Sequence, residues 1–364
     1  MSKPTIKNQT KKSIEDLSTI FVQFAENECR NLSKLYYQLS LDISKSDELL
    51  KLASHATFRQ PMPNLLLGAV HFLLLKSPKE RLANFYPSIS KKPAAEIPFN
   101  LFRNFVLDNR KKILSILKER IVQTNELNRT AHLMPVIASI FDGKDELTLI
   151  DIGTSAGLNL NWDKYEYEYG SKGHYGKSSV KIKSEILEGE MPKFNSFPKR
   201  IRKIGIDQNP LDLKINDNAM WLKALIWPDQ MERFKRLQSA IKFIKSENIE
   251  LVKAHSTNQF EKIIDRIEHT QPLIIFHTNT IYQFTLLERK ELWNMLDRIG
   301  KKRDYYYLAV EGIKEMSEKY GIEHGILIEL TKYKNKFKEQ KLLGVTDGHS
   351  NWIKWKNENY TLSK

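Results

Sequence analysis

The sequence predicts an α/β fold, a doubly wound sheet that ends in an antiparallel strand pair and is preceded by an all-helical N-terminal region. Three observations predict it. Apolar residues recur every three to four positions from Ser13 to about Thr130, and no convincing strand interrupts them. From Glu146 onward, short continuous apolar runs alternate with helical stretches, as buried parallel strands and their crossover helices do. The first of those runs closes on a small-residue turn, LIDIGTSAGLNL (Leu149 to Leu160), the Rossmann-like strand, turn and helix that faces a nucleoside or phosphate.

Taken in order, residues 1–12 (MSKPTIKNQTKK) read as a disordered basic tail, and residues 13–130 as the helical region. Ser13 with Asp16 three residues on forms a capping-box pattern. Ile14, Leu17, Phe21 and Phe24, then Leu32, Leu35 and Leu39, mark buried helix faces. Pro61, Pro63 and Pro78 punctuate further helices, Leu65 to Leu75 reads as a buried one, and SKKPAAEIP (Ser90 to Pro98) reads as a loop. Residues 131–364 form the sheet domain, with strands at Leu147 to Ile152, Ile201 to Ile206, Ile249 to Val252, Leu273 to Phe276 and Tyr306 to Val310. Ala219 to Lys245 is helical between the second and third of these. Alternation at Tyr165 to Tyr169 and Ser179 to Ile186 predicts an antiparallel β insertion near 165–200. Gly325 to Tyr333 and Lys341 to Trp355, with no helix between them, read as an antiparallel pair closing the sheet edge.

Composition narrows the function. The single cysteine, Cys29, excludes an internal disulfide framework and fits a reducing, cytoplasmic setting. No apolar run is long enough to span a bilayer, and the richest one carries His71, so no membrane partner is expected. A net charge of +14 points toward nucleic acid. The excess is lysine spread along the chain with no aromatic-basic stripe, so nucleic acid is not the favoured partner.

The chemistry concentrates at strand ends. Asp151, Gly153, Ser155 and Gly157 occupy the bend where the first strand meets a helix N-terminus, and small residues there let backbone N–H groups approach a ligand. Asp207, just past the second run in IGIDQNP, sits where a carboxylate accepts both hydroxyls of a ribose. Methyl transfer from a sulfonium needs alignment more than side-chain chemistry, so these residues suffice to capture S-adenosylmethionine. Upstream, Gln123, Thr124, Asn125, Glu126 and Arg129 form a polar cluster on the helix feeding the first strand, with Asn125 and Arg129 one turn apart on one face. His277, after the fourth strand, is a candidate general base, and Glu311 a weaker candidate on the same rim. A rival reading takes GTSAG (Gly153 to Gly157) as a serine nucleophile elbow completed by Asp347 and His349. The elbow requires earlier strands for its oxyanion loop, and everything before Glu146 reads helical. A third reading is a non-catalytic nucleotide- or nucleic-acid-binding protein. The nine histidines make no ligand spacing, so no metal is expected.

The segments QTNELNR, LIDIGTSAGLNLNWDKYEYEYG, IGIDQNPLD, IWPDQMER, DGHSNWIKW and PNLLLGAVHFLLL together resemble the bacterial family called domain of unknown function 2332, from about Phe21 to Trp355. That family is in turn similar to class I S-adenosylmethionine-dependent methyltransferases. The resemblance implies a Rossmann-like sheet with an antiparallel final strand, a donor loop at Asp151, Gly153, Ser155 and Gly157, and a ribose clamp at Asp207. It also implies that Asn125, Glu126, Arg129 and His277 line the pocket. It supplies no acceptor, which is expected to be a small molecule. Ser155 stands where many such enzymes have their central glycine, and Ala254-His255 where an acid often follows the third strand.

Overall fold

The computed structural model describes residues 12–57, 60–123 and 125–356. The expected basic tail therefore lies outside the described residues, apart from Lys12. The first six helices are α1 (Ile14–Phe24), α2 (Lys34–Ile43), α3 (Asp47–Ala53), α4 (Met62–Lys76), α5 (Phe99–Asp108) and α6 (Arg110–Glu119). Helix α7 (Thr130–Ile140) leads into strand β1 (Glu146–Ile152). A strand-rich stretch follows, with β2 (Glu166–Glu168), β3 (His174–Tyr175), β4 (Lys181–Lys183) and β5 (Glu185–Glu188). Next come β6 (Arg200–Asp207), α8 (Asn216–Ala224), α9 (Met231–Ile244), β7 (Glu250–Lys253), α10 (Thr257–Ile264) and β8 (Leu273–Thr278). The chain continues through α11 (Leu286–Lys302), β9 (Tyr305–Glu311) and α12 (Lys314–Tyr320) to β10 (Ile326–Lys334), β11 (Phe337–Thr346) and β12 (Trp352–Trp355). None of the helices among the described residues is long and apolar enough to cross a membrane.

The described residues fall into two compact units, one of residues 12–123 with Asn216–Gln238, the other of Asn125–Ile215 with residues 239–356. The first is helical. Ser13 caps α1 as its spacing predicts, accepting from the Asp16 amide while the Asp16 carboxylate accepts from the Ser13 amide. Helix α4 has no solvated stripe between Leu65 and Val70, because every residue there is buried, and it forms the centre of this unit. Gly68 makes room on it: a Cβ at that position would lie 3.3 Å from Leu225 and 3.6 Å from Trp221. The stretch Asn216–Gln238, which sequence texture alone attaches to the sheet, thus contributes Trp221 and Ala224 to the helical core.

The second unit is mixed α/β and holds a nine-stranded sheet in the order β5-β12-β11-β10-β9-β8-β1-β6-β7. Five neighbours, β9, β8, β1, β6 and β7, are parallel throughout. The chain runs outward from β1 through β6 to β7, then returns to the other side of β1 with β8 and β9. Strand residues Ile150, Ile152, Ile204, Ile206 and Ile275 share a core with Leu292, Met295 and Ile299 of α11. Near-continuous apolar runs form the central strands because both of their faces are covered.

Several local expectations are corrected. The insertion forms a three-stranded sheet in which β2 pairs β3 antiparallel but β4 parallel, and β5 leaves it to pair with β12. The closing pair is β10 with β11, tightened by Asn335 and Lys336 at positive φ, and β12 is a further strand, so the pair is not the edge. No α-helix follows the turn after β1. Leu158–Lys164 is a 3-10 segment broken at Asn161, whose side chain accepts from the buried Lys203 ammonium at 2.8 Å. Asn159, Asn161 and Asp163, with short polar side chains that compete with the backbone for hydrogen bonds, are poor helix formers.

His71 on α4 makes the helical unit sensitive to acid. Its Nδ1 donates to the Ala224 carbonyl at 3.0 Å and its Nε2 accepts from Ser88 Oγ at 2.7 Å, and burial pushes its pKa down to about 4. A folded pKa below the ordinary value of 6.5 means that the unfolded chain takes up a proton the folded one refuses. Stability is fully present above pH 6.5 and is lost as pH falls toward 4, by roughly 3 kcal/mol from this residue. Denaturant melts of His71→Gln should show lower stability at pH 7 and a decline between pH 6.5 and 4 shallower by about one proton than the parent's.

Candidate active site

Parallel register sets Asp151 opposite Gly205 and Ile152 opposite Ile206, so the turn after β1 and Asp207 at the end of β6 emerge side by side. Positive φ at Gly153 (78°), Ser155 (53°) and Gly157 (74°) folds the turn back on the sheet. Four of its five amides are engaged internally. Gly153 and Thr154 N–H donate to the Ile206 carbonyl at 2.8 and 3.2 Å, Ser155 N–H to Asp207 Oδ2 at 2.8 Å, and Gly157 N–H to the Thr154 carbonyl at 2.9 Å. Asn125 completes the brace, donating to the Thr154 carbonyl at 3.1 Å and accepting from Leu158 N–H at 3.1 Å. The expectation that glycine here admits a ligand is corrected at Gly153, where a Cβ would lie 2.2 Å from Thr280 Cγ2. The close approach is to the chain itself.

Two carboxyl groups mark the site. Asp151 is buried and accepts from Thr154 Oγ1 at 2.9 Å. Burial, together with the Asp207 charge, pushes its pKa up to about 8, against the opposing pull of the Thr154 hydrogen bond and the Arg129 charge. Asp207 is half-buried and holds the amides of Ser155 and Asn209, both at 2.8 Å, one on each oxygen.

Arg129 and Asn125 reach the site from the segment before α7, though not from one helix as the spacing suggested. Only Leu127–Arg129 forms a 3-10 turn there, capped by Glu126 accepting from Asn128 N–H at 3.1 Å. Arg129 donates to the carbonyls of Gly348 (3.2 Å) and Thr278 (3.3 Å). It thereby joins the C-terminal DGHS loop to the end of β8. Asn128 extends the same seam, donating to the Lys183 and Ser350 carbonyls at 2.7 and 3.0 Å.

His277 is completely buried rather than facing a cleft. Its Nδ1 donates to Glu311 Oε1 at 2.8 Å and its Nε2 accepts from Tyr307 Oη at 2.5 Å. Glu311 Oε1 also accepts from the amides of Thr280 (2.6 Å) and Ile281 (3.0 Å). The role this geometry gives the pair is to hold the loop after β8, the loop that covers Gly153. Thr280, Asn128 and the carbonyl of Gly348 are parts of the site that sequence reading missed. The available signal was the uncharged Thr278-Asn279-Thr280 that follows the apolar run and His277.

The residues of the nucleophile-elbow reading are not brought together. Ser155 Oγ is buried with no partner among the described residues, His349 faces Glu126 at 3.5 Å, and Asp347 accepts from the backbone and side chain of Asn351. Two surface hollows lie elsewhere. One of about 410 Å³ opens at the amino ends of the strands beside Glu146, Arg200 and Gln271, and one of about 340 Å³ lies on the insertion beside Tyr175 and Phe194.

A protein-family model described as "uncharacterized protein conserved in bacteria (DUF2332)" matches residues 18–355. The chain belongs to this family. No curated protein matches it. In this DUF2332 member, four of the motif segments, NELNR, DIGTSAG, IDQNP and DGHSN, meet through the hydrogen bonds just described.

Gly153 and Gly143 separate backbone strain from close contact, since both have positive φ but only Gly153 has atoms where a Cβ would go. Gly143→Ala should lose about 1 kcal/mol in denaturant melts, the cost of a left-handed backbone. Gly153→Ala should lose roughly 2 kcal/mol more, from overpacking against Thr280.

Proposed function

We propose that this chain is an S-adenosylmethionine-dependent methyltransferase that binds its donor at the carboxyl ends of β1 and β6. The observation that carries the reading is the pairing of Asp151 and Asp207 beside a turn in which five amides are already engaged. A phosphate needs free N–H donors or cations. A cationic nucleoside needs carboxylates for its hydroxyls and positive charge. S-adenosylmethionine is such a nucleoside, which favours it over a nucleotide. The strand order supports the same reading, because β7-β6-β1-β8-β9 is the order 3-2-1-4-5 of Rossmann-like sheets, whose ligands sit where the chain reverses direction beside the first strand.

The residues present fit the group. Asp207 has one hydrogen bond on each oxygen and lone pairs left for ribose hydroxyls, and the buried Ser155 hydroxyl has no partner among the described residues. When bound, the donor supplies a methyl group already activated by its sulfonium. Asp207 would hold the ribose, and Asp151 would face the positive charge. Asn125, Arg129, Glu311 and His277 keep the surrounding loops in register, and alignment is what such a transfer requires of the protein.

Calorimetric titration with S-adenosylhomocysteine should give saturable binding, and Asp207→Asn should weaken it about ten-fold or more. A folded protein that gives no heat sinks the proposal, as does labelling of Ser155 by a fluorophosphonate. Asp151, at about 8, is largely protonated at neutral pH, and a cationic ligand favours its ionised form. Binding of S-adenosylmethionine at pH 6.5 should therefore release close to one proton, read from buffers of different ionisation enthalpy. Affinity should climb as pH rises toward 8. Asp151→Asn should abolish the release.

A further inference from the structure

The loop that covers Gly153 continues into an uncharged and apolar lip. Ten residues, Thr278 to Leu287, carry no Asp, Glu, Lys or Arg, in a chain that is 28% charged. Tyr282, Leu286 and Leu287 within that run are 56%, 65% and 67% exposed. Nothing in the local structure requires them to face water. Helix α11 is started by a capping box between Thr285 and Glu288, which leaves the two leucines of its first turn without a structural task. Two charges border the run: Glu288 is held in the capping box by Thr285, and Arg289, which donates to the Ile281 and Tyr282 carbonyls, is paired with Glu315 at 2.9 Å.

We infer that Tyr282, Leu286 and Leu287 bind the uncharged apolar part of the methyl acceptor, a small molecule with a hydrocarbon or aromatic body. The inference rests on the donor-site reading above, since Thr280 lies against Gly153 and Tyr282 follows two residues later. Charge selects this occupant over a polyanion. A nucleic acid would meet no cation within the run itself, and the one beside it, Arg289, is already paired with Glu315, although the chain carries a net charge of +14. Size selects it over a second copy. Three side chains expose on the order of a few hundred Å², the scale of functional patches on monomers, against about 800 Å² per partner in a stable complex.

The test compares the full chain with Leu286→Ser/Leu287→Ser, whose positions are exposed and whose capping box is retained. Titration with the neutral fluorophore N-phenyl-1-naphthylamine should saturate on the parent and weaken at least about ten-fold in the variant. S-adenosylhomocysteine affinity should be equal in both. Equal fluorophore affinity overturns the inference, and so does a parent dimer that the variant converts to a monomer in light scattering, or binding of a single-stranded RNA oligonucleotide that the variant abolishes. If neither protein binds S-adenosylhomocysteine but the fluorophore result holds, the donor reading fails alone, and the lip remains a site for an apolar molecule.

Discussion

A fully buried carboxylate, Glu311, holds the carboxyl end of the sheet in its observed form. Removing a carboxylate from water costs several kcal/mol unless donors replace the water, and the site supplies three to one oxygen: the His277 ring and the amides of Thr280 and Ile281. Register makes this possible, because β8 and β9 pair His277 with Ala309 and Thr278 with Val310, bringing Glu311 level with the loop that follows. Once those two amides are fixed, Thr280 lies on Gly153, and the turn after β1 has room for nothing larger than glycine there. Tyr307 completes the chain by donating to His277, which fixes its tautomer.

The turn and the two strand-end acids form one electrostatic unit. Because the turn's amides bond to the Ile206 carbonyl, Asp207, Thr154 and Asn125, their partial positive charge is neutralised within the protein. What remains is a pair of carboxyl groups, with Asp151 held largely protonated at neutral pH by burial and by Asp207, and the Arg129 charge opposing that shift. The same Arg129 ties the Gly348 carbonyl to the end of β8, so the charge that tunes Asp151 also fastens the C-terminal loop. A basic chain thus keeps an acidic centre, because its lysines are distributed along the chain while this cluster is assembled from separate strand ends.

Much of this was legible in the sequence, for identifiable reasons. Buried parallel strands need near-continuous apolar residues, so the runs at Leu147, Ile201, Leu273 and Tyr306 announced β1, β6, β8 and β9 within a residue or two of their bounds. Asp151 and Asp207 were visible because an acid at the end of an apolar run has one place to go, the rim of the sheet. The Ser13 cap was readable because its partners lie three residues apart.

What the sequence determined by itself was local: which residues turn inward, where strands and helices begin, and which polar groups fall at strand ends. Tertiary structure decided the partners. It gave Asn216–Gln238 to the helical unit, because an apolar face specifies that it will be buried but not which core buries it. It paired β5 with β12 across nearly half the chain's numbering, and turned His277 from a rim base into a buried brace. It also filled the space beside Gly153 with Thr280 and the turn's amides with internal acceptors. Each of these depends on distances between groups far apart in the chain, which periodicity and spacing, being properties of neighbouring residues, do not encode.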